Sequence, residues 1–230
     1  GGDVESVYVG NGWGQRDHRN TDVGATLPYV IRRSKGVTRS DIFAAAFVGS
    51  QGVQRLVKGI EILPLPDGAP GDAVAIAIQT SQGTDIVISM LTPTPITVTT
   101  GMGEISTNGR LSAIVTTGGT PSSACLVGGT HLSMTGVDLS VSEAILYGRI
   151  ISTGSERGDS YFDINCDTSK IQSMMGQTLF ALDGDTRHGY LIREIEPTET
   201  GTRVFTKCDN QGFEARAAER WELQVTSHWE

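Results

Sequence analysis

Apolar and polar residues alternate along most of this chain in short runs, and almost nowhere do they hold the three-to-four spacing of an amphipathic helix. The runs predict strands at Val4–Val9, Thr26–Arg32, Ile42–Val48, Val57–Leu63, Ala73–Gln79, Asp85–Met90, Ile96–Thr100, Leu111–Thr116, Ala124–Val127, Ala144–Ile151 and Tyr161–Ile164. Five more follow at Thr178–Leu182, Tyr190–Ile195, Arg203–Lys207, Phe213–Ala217 and Trp221–Val225. Between them stand turn formers. Asn108-Gly109, Gly118-Gly119 and Asp183-Gly184 suit the positive φ of tight hairpins, and Pro64, Pro66 and Pro70 interrupt a ladder because proline donates no hydrogen bond. Only Ser169–Gly176 reads as a helical turn.

A sheet protein must bury one face of each sheet, and stacking two sheets does this most simply. The expected fold is therefore all-β: an antiparallel β-sandwich over residues 1–151 and a smaller C-terminal antiparallel β-domain over 152–230. The boundary is drawn at the Ser/Gly/Glu/Arg-rich stretch Ser152–Asp159, which also reads as a long loop. Composition agrees: glycine is abundant, at 29 of 230 residues, and charged residues make up only 19%.

Charge divides the chain unevenly. Residues 1–60 carry eight Lys/Arg against five Asp/Glu, a balance of +3; residues 61–230 carry ten against twenty-one, a balance of −11. Neither part has the dense basic stripe of a nucleic-acid binder, so no nucleic-acid partner is expected. No apolar run approaches the ~20 residues that span a bilayer, so no membrane partner is expected either. The chain opens Gly-Gly-Asp without an initiator methionine, which predicts a processed product or a piece of a longer protein. Cys125, Cys166 and Cys208 stand far apart with no Cys-x-x-Cys pair, so no zinc site is expected. One disulfide with one free thiol, or three buried free thiols, both fit them.

Candidate chemistry concentrates in residues 10–35. Trp13 between two glycines can offer its ring to the C–H face of a sugar, and Arg16 and Arg19 carry planar forks for a carboxylate or sulfate. Gln15, His18, Arg33 and Lys35 complete the expected ligand-binding set. The alternative is structural, with Trp13 plugging the end of the sandwich and Arg16 paired with Asp17 or Asp22. Alternation sends Arg32 and Arg33 to opposite faces, so at most one of them joins a patch with Lys35. The same charges also suit a guarded sheet edge. His18 with Tyr8 or Tyr29 would be the base and acid of a uronate β-elimination. The four histidines are scattered, and no nucleophile elbow, His-Glu-x-x-His or phosphate loop occurs, so no catalytic residue, metal or cofactor is assigned. Asp183–Gly189 lacks the ligands of a calcium loop and reads as a hairpin turn, with Arg187 and His188 at its tip.

The stretch GNGWGQRDHRNTDVGATLPYVIRR, followed by SDIFAAAFVGSQG and VKGIEILPL, resembles the β region that follows the catalytic toroid of heparinase II/III-like polysaccharide lyases. GQTLFALDGDTRHGYLIREIEPTETGTRVFTKCDNQGFEAR is similar to the terminal β-sheet domain of the same group. The resemblance implies a secreted or periplasmic parent with a helical toroid upstream and a substrate cleft between toroid and sandwich. This chain has no toroid, and no family catalytic or metal residue maps onto it. The resemblance thus implies a non-catalytic carbohydrate-binding portion, whose partners are an acidic polysaccharide and the lyase catalytic domain of the parent chain. A domain bracing the lyase or its oligomer, and an autonomous lyase, are the alternatives. The −11 balance repels sulfate over about 8 Å at physiological salt, so a focused cationic patch is needed for a polyanion, and a neutral glycan stays in play.

Overall fold

The computed structural model describes residues 4–13, 26–34, 57–207 and 218–230. They fall into two units. The first holds β1 (Val4–Trp13) and β2 (Thr26–Ser34), an antiparallel ribbon in which Tyr8 faces Ile31 and Gly10 faces Tyr29.

Among the described residues, the second unit is built of strands and their connections, with one short helix and the 3-10 turn that follows it. In chain order come β3 (Val57–Ile62), β4 (Val74–Thr80), β5 (Thr84–Ser89), β6 (Ile96–Thr100), β7 (Gly103–Thr107), β8 (Leu111–Thr117), β9 (Thr120–Val127), β10 (His131–Met134) and β11 (Val137–Ser140). Then follow β12 (Ile145–Glu156), β13 (Asp159–Ile164), α1 (Thr168–Ile171), β14 (Thr178–Asp183), β15 (Thr186–Thr198), β16 (Gly201–Thr206), β17 (Arg220–Gln224) and β18 (Thr226–Trp229). A six-stranded sheet ordered β18-β9-β8-β5-β4-β3 faces a four-stranded sheet ordered β11-β10-β7-β6. Ala75, Ile86, Ile88, Ile114 and Leu126 from the first pack on Val98, Ile105 and Leu132 from the second in one buried cluster. The fold is an all-β sandwich, its strands reading inward and outward by turns as the alternation predicts.

Strands β12 to β17 close into a six-stranded barrel ordered β12-β13-β16-β15-β14-β17. Trp221, Phe162, Leu179 and Val204 fill it, all at 1% exposure or less. α1 and the 3-10 turn after it seat Ile171 and Met174 in that core, and the Asp167 carboxylate accepts the Ser169 backbone N–H to start the helix. The expected boundary at residue 152 falls in the middle of β12. Ser152–Asp159 is the second half of that strand and a two-residue turn, in which Arg157 and Gly158 both take positive φ. The barrel begins at Ile145, and β18 leaves it again to pair with β9 in the sandwich.

Asn108-Gly109 departs from the expected hairpin. It makes no hairpin, because β7 and β8 lie in different sheets and the dipeptide is the crossing between them. The Asn108 side chain stands in for a strand there: Oδ1 accepts the N–H of Thr130 and of His131, and Nδ2 donates to Thr130 Oγ1. Gly118-Gly119 and Asp183-Gly184 do close hairpins.

The barrel and the ribbon share one packing device. Aromatic rings lie across a glycine directly opposite on the neighbouring strand: Tyr29 on Gly10, Trp221 on Gly148, Tyr161 on Gly154 and Phe180 on Gly189. The ring covers backbone that glycine leaves bare, and the glycine gives the ring room.

Candidate functional site

The ribbon register decides which of the expected ligand-binding residues share a face. Residues directly opposite in an antiparallel pair project to the same side. Ser6, Tyr8 and Gly10 therefore form one row with Arg33, Ile31 and Tyr29, and Val9 and Asn11 form the other with Val30 and Pro28. The backbone of Trp13 pairs with Thr26 at the far end of the ribbon. Gln15, Arg16, His18, Arg19 and Lys35 lie outside the described residues, as does the Trp13 side chain.

The first row assembles a surface that the sequence reading divided differently. Tyr8 is 52% exposed and Tyr29 43%, and Arg33 is exposed beside them. Two phenol rings and a guanidinium on one row provide stacking surface and a positive charge. Both tyrosines were expected only as an acid partner for His18. Their grouping with Arg33 follows from register, which alternation within one strand does not reveal.

The other cations with prominent contacts are bound to carboxylates on the barrel. Arg203 donates from Nε and Nη2 to Asp163 (2.7 and 3.0 Å) and from Nη1 to Glu156 (2.6 Å), and stacks 3.9 Å above the Tyr161 ring. Arg187 pairs with Glu222 over the Phe180 ring, and Arg193 pairs with Asp159. These arginines staple neighbouring strands, and their donors are spent on protein carboxylates. Arg187 therefore leaves the tip chemistry expected of the Asp183–Gly189 turn, which is a hairpin turn between Asp183 and Thr186.

Burial raises the Asp163 pKa, but hydrogen bonds from Arg203 and Ser152 outweigh it and hold the carboxyl below the usual range. A depressed folded-state pKa contributes stability that is fully present above the unfolded value, about 3.9, and is lost as pH falls through the folded one. Asp163→Asn is expected to cost about 1–2 kcal/mol at neutral pH and almost nothing in strong acid. Urea midpoints at neutral pH and at pH about 2, below the reference Asp pKa, check this; an equal difference between the two chains at both pH values would exclude the linkage.

Cys125 and Cys166 are free thiols, the first on β9 and the second beside α1. Burial raises the pKa of each, which keeps them protonated and poorly nucleophilic. Cys208 lies outside the described residues. Among the described residues no group of three His, Cys, Asp or Glu could hold a metal ion, and no helix is long and apolar enough to cross a membrane.

No protein-family model, no curated protein and no solved structure matches this chain.

Proposed function

We propose that this chain is a non-catalytic carbohydrate-binding module that holds an acidic polysaccharide, a glycosaminoglycan or other uronate polymer, near the catalytic domain of a polysaccharide lyase. The row of Tyr8, Tyr29 and Arg33 is the observation that carries the reading. Tyrosine rings stack on the apolar face of a pyranose, and a guanidinium charge beside them attracts a carboxylate or sulfate. The +3 balance of residues 1–60 keeps this part of the chain attractive to an anion while the remainder repels it.

Affinity electrophoresis and calorimetry against heparin, chondroitin sulfate, hyaluronan and alginate test the proposal. Saturable binding to at least one polymer is expected, weakened about tenfold by Arg33→Ala or Tyr8→Ala and falling as salt rises. Tyr8→Ala spares the Tyr29 ring that covers Gly10, so the ribbon itself is preserved. Absence of binding to all four polymers would overturn the reading, and release of unsaturated uronate from any of them would make the chain an autonomous lyase.

The bracing alternative has its own support. The outer face of the six-stranded sheet carries Ile60 and Ile62 on β3, Leu111 and Val115 on β8, all at least 38% exposed. One register row there, Ile62, Ile76, Val87, Ala113 and Cys125, is apolar across five strands. Contiguous apolar faces of this kind mark contact surfaces. A chain that binds no glycan but self-associates, with Ile62→Asp abolishing the association, would favour the brace.

A further inference from the structure

We propose that the groove at the α1 end of the barrel binds an uncharged pyranose unit of a glycan. Two adjoining cavities make the groove. One, about 400 Å³, is lined by Val141, Glu143, Lys170 and Met174; the other, about 380 Å³, by Glu143, Tyr147, Asn165, Asp167 and Lys170. They share Glu143, Leu146 and Lys170 and so form one trough, each half within the roughly 300–1,000 Å³ of small-ligand sites.

Three features of the second cavity suit a sugar. Tyr147 projects from the outer face of β12 with 80% of its surface in solvent, a bare ring at the edge of a polar trough. Asn165 is oriented by its surroundings: its Oδ1 accepts the Arg149 backbone N–H and the Trp221 indole N–H, the latter at 3.4 Å. Two donors converging on one amide atom require that atom to be the oxygen, which leaves both N–H groups of Nδ2 for the groove. Lys170 adds a second donor and Glu143 an acceptor, and neither forms an ion pair among the described residues. A ring face flanked by donors and an acceptor matches a pyranose, with its C–H surface and adjacent hydroxyls.

Charge selects the kind of sugar. Glu143 and Asp167 oppose Lys170 alone, so a uronate or sulfate entering the trough meets net repulsion and a neutral ring does not. The groove is therefore a different site from the Tyr8, Tyr29 and Arg33 row, with a different preference, and the two stand or fall separately.

Calorimetry of the full chain with chitohexaose and cellohexaose tests the proposal. Saturable binding of at least one is expected, unchanged by a tenfold rise in salt and weakened about tenfold by Tyr147→Ala. Asn165→Asp keeps an acceptor oxygen for Arg149 and Trp221 and replaces the Nδ2 donors by a charged acceptor oxygen, so it too should weaken binding of a neutral sugar, the loss of the donors outlasting a tenfold rise in salt that screens the added charge. Arg33→Ala should leave this binding intact. The proposal is overturned if neither hexasaccharide binds the unmodified chain, or if binding persists in both groove variants.

Discussion

Trp221→Ala is expected to remove about 3–5 kcal/mol of stability. The indole is 1% exposed at the centre of the barrel cluster, and β17, which carries it, is paired to β12 on one side and to β14 on the other. Truncation opens a cavity that Gly148, directly opposite, has no side chain to fill. It also frees Asn165 Oδ1 from one of its two donors. Against a typical total of about 5–15 kcal/mol, the loss is large enough to shift the urea midpoint in a single measurement by circular dichroism. Trp221→Phe should recover part of it, since a ring still covers Gly148. A loss under about 1 kcal/mol for the alanine variant would show that this side chain does not hold the barrel together.

Gly129→Ala is expected to cost about 2–3 kcal/mol, an overpacking effect with no soft neighbour to absorb it. A Cβ at this position would stand 2.5 Å from Gly109 Cα, 2.7 Å from Gly109 N and 2.9 Å from Asn108 Oδ1. The first two are backbone atoms of the crossing between sheets, and the third already accepts two backbone N–H groups. Relief requires the crossing to shift, which would break the Asn108 contacts to Thr130 and His131. Gly71→Ala is the control: nothing lies within 4 Å of its added carbon, so its urea midpoint should match the parent within about 0.5 kcal/mol. Equal midpoints for the two variants would refute the close approach of Gly109 and Gly129.

What could be read in advance depended on how much of each feature is local. β4, β5 and β8 announce themselves by length and by β-branched and apolar content: β4 opens on the run Val74–Ile78, β5 sends Ile86 and Ile88 inward, and β8 alternates cleanly in burial although two of its three inward residues, Ser112 and Thr116, are polar. β7, β10, β11 and β18 were not foreseen. Each has only four or five residues, and β7 turns a threonine inward whose hydroxyl is bonded to Ser112 rather than packed as a hydrocarbon. Closure of the barrel was hidden for another reason: it joins β12 to β17, strands far apart in sequence, and no local pattern encodes which edge meets which. The dipeptide Asn108-Gly109 misled because an asparagine side chain that mimics a strand looks, in sequence, like one that starts a turn.

The candidate sites divide along the same line. Arg33 is marked by its residue type, but its companions Tyr8 and Tyr29 are set by pairing with the opposite strand. In sequence Tyr147 is one aromatic within an apolar run. Its significance lies in parity, which points it out of the barrel, and in residues 165–170 from a later connection, which supply the polar wall beside it.

The return of β18 to the sandwich bears on how the chain is made. Val225 N–H donates to Ala144 O at 2.9 Å, so the whole barrel is a loop whose two ends meet. During synthesis β9 emerges first, and its pairing partner β18 appears only about 100 residues later. At roughly 5–20 residues per second, that leaves one border of the six-stranded sheet bare on the ribosome for about 5–20 s. An unpaired border invites strands from neighbouring nascent chains. The barrel must therefore fold quickly enough to bring its ends together, because only then does the polypeptide deliver the strand that seals the sheet translated before it.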